Sequence, residues 1–157
     1  MSLKYNIKRM LAISVGFLFL TACGGDGGGT ATPSTIVTKT ATLTLAAEIP
    51  APTAPQPANV ISGTATFSVD TTTNAITGTL TVTGDNGRVT AAHIHDGDVG
   101  AAGPVIVPLQ NNGNGNWGVA AGTLLTAAQF ARFNAGGYYV NAHTVLNVPG
   151  EIRGQLN

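Results

Sequence analysis

The 157-residue chain has a single cysteine, Cys23, so no disulfide can form within it. Charge is scarce: Asp, Glu, Lys and Arg make up only 9% of the residues. Past residue 22 the cations are Lys39, Arg88, Arg132 and Arg153, set against Asp26, Glu48, Asp70, Asp85, Asp96, Asp98 and Glu151. A mildly acidic chain with four scattered cations has no electrostatic footprint for a phosphate backbone, which argues against nucleic acid as a partner. The glycine-rich runs GGDGGG and NNGNGN are followed by no GK[ST] and open no helix, so neither is a phosphate loop. Asp96 and Asp98 flank a glycine in HDGDVG, but without further oxygen ligands or a closing glutamate they describe a solvated turn rather than a calcium loop. No Ser-His-Asp order, carboxylate pair or cofactor fingerprint stands out, which favours a binding module over an enzyme.

What is present begins at the N-terminus. Lys4, Lys8 and Arg9 precede an apolar run from Met10 to Leu20, interrupted only by Ser14 and Gly16. A charged segment followed by an apolar one of this length is an export signal, since crossing a bilayer takes ~20 apolar residues. The signal ends in Leu20-Thr21-Ala22-Cys23, which resembles the lipobox of bacterial lipoproteins. The resemblance implies cleavage before Cys23, lipidation of its thiol (palmitate among the acyl groups), and a membrane partner reached through that N-terminal lipid anchor. The expected location is the cell envelope. Gly24 in place of Asp implies the outer membrane where the host is Gram-negative. Residues 1–22 are thus expected to be the signal peptide, and 23–36, rich in Gly, Thr and Pro, a flexible tether spanning on the order of 20 Å. Residues 37–157 are the expected domain.

Within that domain apolar and hydroxyl residues alternate with a period of two. Ala41, Leu43, Leu45 and Ala47 oppose Thr40, Thr42 and Thr44; Ala65, Phe67 and Val69 oppose Thr64, Thr66 and Ser68. After a turn at 70–74, Ile76, Leu80 and Val82 oppose Thr77, Thr79, Thr81 and Thr83. This is the pattern of half-buried antiparallel strands. Further strands are expected at 88–95, 105–109, 117–121, 138–144 and 151–156, and the proline-rich stretch 50–58 as a surface loop. The expected fold class is therefore all-β: an antiparallel β-sandwich or flattened barrel of about eight strands with one short helix. The helix is marked by Thr126 and Gln129 in capping-box spacing, with Phe130 and Phe133 on one face as core plugs and Gly136 as its stop.

The chain has three histidines. Residues two apart in a strand share a face, so His93 and His95 point together, and in YYVNAHT so do Tyr139, Asn141 and His143. If the two strands are neighbours, His93, His95 and His143 can form a three-imidazole set suited to copper or zinc. Tyr139, Asn141, Glu151 and Arg153 are then candidates to orient the rings. The competing expectation is that the same polar groups form a hydrogen-bonded network stitching strands together, with Glu151 and Arg153 pairing to Asn141 or the imidazoles. Both methionines, Met1 and Met10, lie in the signal and acylation consumes the one thiol, so blue-copper and iron–sulfur sites lack their ligands.

AAHIHDGDVGAAGPVIVPL (91–109) and LTAAQFARFNAGGYYVNAHTVLNVPGEIRGQL (125–156) resemble the CHRD domain, named for its occurrence in chordin and found in exported bacterial proteins. The features carrying the resemblance are the AHIH-x-G pair, the GPV strand, the L-T-x-x-Q-x-x-x-F helix, Y-x-N-x-H-T and the PGEIRGQ ending. It extends over about residues 38–157 and implies a β-rich extracellular module that meets a protein or matrix partner. A weaker likeness to copper/zinc superoxide dismutase rests on the H-x-H strand alone. The chain lacks the histidines for a bridged two-metal centre and the disulfide, so that activity is not expected. A mononuclear copper or zinc enzyme on the three histidines is the alternative to a binding or structural module.

Overall fold

The computed structural model describes residues 35–53 and 61–157. The signal peptide, Cys23 and nearly all of the expected tether lie outside the described residues, as does 54–60 of the proline-rich segment. Eight strands follow one another: β1 (Ile36–Leu43), β2 (Ser62–Asp70), β3 (Ile76–Thr83), β4 (Val89–Asp96), β5 (Val105–Gly113), β6 (Asn116–Val119), β7 (Tyr138–Thr144) and β8 (Ile152–Gln155). One helix, α1 (Ala127–Asn134), precedes β7.

All strand pairs are antiparallel, in the order β1-β2-β3-β6-β5-β4-β7-β8. The sheet curls until its edges meet: Thr40 and Asn157 exchange backbone hydrogen bonds, and so do Thr44 and Arg153. The result is a nearly closed, barrel-like sheet. Joining β1 to β8 leaves neither strand a bare edge on which another chain could pair.

The threonine-rich alternation does what its period dictates. Ala41, Leu43, Ala65, Phe67, Val69, Ile76, Leu80 and Val82 enter the core while the intervening hydroxyls face outward. In β3 the periodic apolar position between Ile76 and Leu80 is Gly78. It sits at φ +138, and a Cβ there would lie 2.2 Å from the Thr66 carbonyl and 2.7 Å from the Phe67 ring, so only glycine allows β2 and β3 to pack this closely. Trp117 is buried and lies across the ladder from Leu80. A bulge between Val89 and Ala91 resets the alternation in β4, which puts Ala92 and Ile94 inward and leaves the two histidines on the opposite face.

Two local expectations are corrected. The first strand ends at Leu43, and Leu45–Ala47 form a single 3-10 turn with Ala47 exposed. Pairing to β2 stops at Leu43↔Gly63, so the alternation continues past the last ladder bond that could hold it extended. β5 continues beyond Leu109 through the polar run to Gly113, because backbone pairing with β6 holds it without apolar side chains. The helix follows its sequence signals. Thr126 and Gln129 form the reciprocal capping box, Phe133 is fully buried, and Phe130 packs against the core. Arg132 in its last turn pairs with Asp96 at 2.8 Å and Asp98 at 2.9 Å, so the HDGDVG carboxylates hold the helix to the end of β4.

Candidate metal centre

β4 and β7 are direct antiparallel neighbours. Their register sets His95 opposite Tyr139, His93 opposite Asn141 and Ala91 opposite His143. Because Tyr138, Val140 and Ala142 turn inward, Tyr139, Asn141 and His143 share the outer face with His93 and His95. One potential ligand atom from each histidine falls within 4.8 Å of the others. Imidazole nitrogens at 2.0–2.1 Å around a tetrahedral ion stand about 3.4 Å apart, so the three ligand atoms would have to draw together to share one ion.

Each ring is set by a specific partner. The Nδ1 atoms of His95 and His143 each lie 2.9 Å from a backbone carbonyl, that of Gly103 and that of Val148 respectively. A carbonyl only accepts, so both Nδ1 atoms carry the proton and both Nε2 atoms of the neutral rings present lone pairs. His143 Nε2 takes its bond from His93 Nδ1 at 3.0 Å. His95 Nε2 is buried with no hydrogen-bond partner. To present a third lone pair through Nδ1, His93 alone must move its proton to the other ring nitrogen.

Electrostatics disfavour a charge on His93 and on His95. Burial, then the neighbouring His143 and His95, push His93 down to about 4. Burial likewise holds His95 below its ordinary value, with His143 and Arg153 acting in the same direction and the Gly103 carbonyl and Asn141 amide opposing. Neutral imidazole is the form that ligates metal.

The loop from β4 to β5 depends on a glycine. A Cβ on Gly103 would lie 1.5 Å from the Asp96 carbonyl oxygen, so only glycine brings the accepting carbonyl to His95. The Gly103 amide also donates to the Tyr139 hydroxyl at 3.2 Å. Arg153 lies with its guanidinium 3.4 Å from the Tyr139 ring centroid, and its Nη2 donates to the Asp98 carbonyl. Arg153 thus stacks on the tyrosine instead of pairing with an imidazole. Glu151 is fully buried with its carboxylate turned away from the rings. It accepts from Thr144 Oγ1 at 2.5 Å and Asn147 Nδ2 at 3.1 Å and pairs with Arg88 at 3.7 Å, bracing the turn that carries Val148.

One site residue has no signal in the sequence. Glu48, just past the 3-10 turn, is only 3% exposed. Burial raises its pKa, against the Ile49 amide, Arg153 and the Asn141 amide. A lone acid before Ile-Pro in a chain segment far from the histidines carries no spacing that points to them. Two cavities lie away from the histidines: one of about 620 Å³ between the turns at 84–87 and 113–115, and one of about 120 Å³ between 50–53 and 146–150.

No curated protein and no solved structure matches the chain. The family model of the CHRD domain matches residues 39–156, which takes in all eight strands but the first three residues of β1, the helix and every residue of the histidine cluster. By that match the chain belongs to the CHRD domain family.

Proposed function

We propose that this CHRD domain is an extracytoplasmic binding module, lipid-anchored through Cys23, in which His93, His95 and His143 hold one copper or zinc ion. The observation that carries the metal reading is the pair of tautomers fixed by Gly103 and Val148. Two backbone carbonyls outside the cluster hold the Nε2 lone pairs of His95 and His143 for a common ligand, and the one at His95 is buried without any partner. A buried acceptor left bare costs about 1–3 kcal/mol, and a cation bound at His95 Nε2 removes that cost. The backbone-held rings follow the usual outer-sphere arrangement of histidine metal sites.

The Cys23 anchor rests on the lipobox resemblance and places the domain where a protein or matrix partner is accessible. Metabolic labelling with a palmitate analogue is expected to mark the wild type and not Cys23→Ala. A mononuclear copper or zinc enzyme would need the same three histidines plus an exchangeable water. The binding module asks for no more than the clustered histidines and the domain family, and is the reading carried forward.

Calorimetric titration of the full-length chain, purified without a metal-affinity tag, tests the metal reading. One equivalent of copper or zinc is expected to bind the wild type and not a variant with all three histidines changed to Ala. Indistinguishable titrations would leave the cluster as a hydrogen-bonded structural network, for which the 3.0 Å bond between His93 and His143 speaks.

A further inference from the structure

The turn between β7 and β8 is built inside out. Its aliphatic side chains face solvent, Val145 and Val148 each 71% exposed and Leu146 51%, while Thr144, Asn147 and Glu151 are at most 4% exposed. Burying an acid and an amide costs free energy unless their bonds are made, and a hairpin connection needs only turn-forming residues such as glycine and asparagine. The buried trio is more than the closure of a turn requires.

The bonds of the trio converge on residue 147. Glu151 Oε2 accepts from Thr144 Oγ1 at 2.5 Å and from Asn147 Nδ2 at 3.1 Å, and Arg88 pairs with the other carboxylate oxygen at 3.7 Å. Thr144 Oγ1 in turn accepts from the Asn147 amide at 3.1 Å. The Asn147 carbonyl accepts from the amides of Thr144 at 3.3 Å and Gly150 at 3.1 Å. Asn147 is thus held through its side chain, its N–H and its C=O. The next residue, Val148, stands between this fixed point and Pro149, whose ring narrows the backbone of the residue before it. The carbonyl held in this way is the one that His143 Nδ1 meets at 2.9 Å.

We infer that Glu151 is a positioning residue of the metal site: through Thr144 and Asn147 it aims the Val148 carbonyl at His143, and so holds the His143 Nε2 lone pair for the ion. This inference rests on the metal reading of the same histidines. Without Glu151 the turn loses its buried acceptor and the Val148 carbonyl leaves His143 Nδ1. The ring then shifts its proton from Nδ1 to Nε2 and reverses its bond with His93, so the nitrogen facing the cluster no longer offers a lone pair. His95 keeps its tautomer, because the Gly103 carbonyl that holds it belongs to the β4–β5 loop.

Two measurements on the full-length wild type, Glu151→Leu and Thr144→Val test the assignment. In metal-free protein a long-range proton–nitrogen correlation spectrum reads which nitrogen of each histidine is protonated. Both variants are expected to move the His143 proton to Nε2 and to leave His95 protonated on Nδ1. Competition titrations against chromophoric chelators, with zinc(II) alone and with copper(I) alone, are expected to show binding at least about tenfold weaker, as is usual for loss of an outer-sphere partner. Glu151→Gln retains an oxygen able to accept from both Thr144 and Asn147, so it is expected to restore the His143 tautomer and the tighter binding. An unchanged His143 tautomer in the first two variants would overturn the role of Glu151. So would His95 and His143 disturbed together, the mark of a purely structural contribution, or a Glu151→Gln no better than Glu151→Leu. Thr144→Val leaves the acid and its Arg88 pairing in place, so it decides the question where Glu151→Leu does not fold. A wild type that binds neither ion would overturn the metal reading and this inference with it, whereas binding by the wild type with unchanged tautomers in the variants overturns the role of Glu151 alone.

Discussion

His95 and Tyr139 face one another across the β4–β7 ladder with ring centroids 4.8 Å apart and planes only 8° from parallel. Arg153 also lies against the phenol ring, so imidazole, phenol and guanidinium form one stacked unit on the outer face of the barrel. With the Gly103 carbonyl holding its Nδ1, His95 is fixed in both ring plane and tautomer. Tyr139→Phe keeps the stack and loses only the bond from the Gly103 amide. Its expected cost in urea unfolding is about 1 kcal/mol, against about 3–5 kcal/mol for Tyr139→Ala, which removes a buried ring. Equal losses would show that the hydroxyl, and not the stack, anchors the site.

Gly103→Ala forces a methyl group against the Asp96 carbonyl. The 97–104 loop must lift and the His95 bond to residue 103 must break. A loss of about 3 kcal/mol or more is expected, at the upper end of overpacking changes. A histidine-resolved NMR spectrum would show His95 Nδ1–H losing its slow exchange. Unchanged exchange in a folded variant would mean the carbonyl does not set the tautomer.

In metal-free protein His93 has a folded pKa of about 4, below its unfolded value near 6.5. Between these values the unfolded chain binds the extra proton, so stability rises with pH from 4 to 6.5 and is lost as pH falls through that window. Solvent screening at this part-exposed ring reduces the effect to on the order of 1 kcal/mol. Comparing urea midpoints of wild type and His93→Gln at pH 4.5 and 7.5 isolates the contribution from that of Glu48. The wild type is expected to lose more on acidification, and an identical loss in both would contradict the assignment.

Phe133 is fully buried in the core, while Phe130 is only partly covered. Phe133→Ala is expected to cost about 3–5 kcal/mol and Phe130→Ala clearly less, by chemical denaturation. Trp117, 4% exposed, should emit at the blue-shifted wavelength of a buried indole and move red on unfolding. Native emission at the fully exposed wavelength would contradict its place in β6.

The strands were legible wherever the alternation had a ladder to match it. The clearest case is the β2–β3 hairpin, where Ala65↔Leu80 and Val69↔Ile76 pair as the period predicts. It misled at 45–47, because hydrophobic period does not register where a strand runs out of partner. The helix was readable to the residue, since a capping box is a contact between residues three apart in sequence. Of the site, the shared face of His93 with His95, and of Tyr139, Asn141 and His143, follows from strand geometry alone. That Glu151 would brace a turn through Thr144 and Arg88 instead of meeting an imidazole does not, because one face of a short end strand leaves the side-chain direction open.

By itself the sequence determined the all-β class, the helix with its cap, the two histidine-bearing segments and the family, because each of these is written in periods or spacings of a few residues. Only the tertiary structure decided that β4 lies against β7, that the barrel closes through Thr40 and Asn157, and that Gly103 and Val148 set the histidine tautomers. Each of these is a long-range contact selected by the packing of the whole barrel, and no local pattern encodes it.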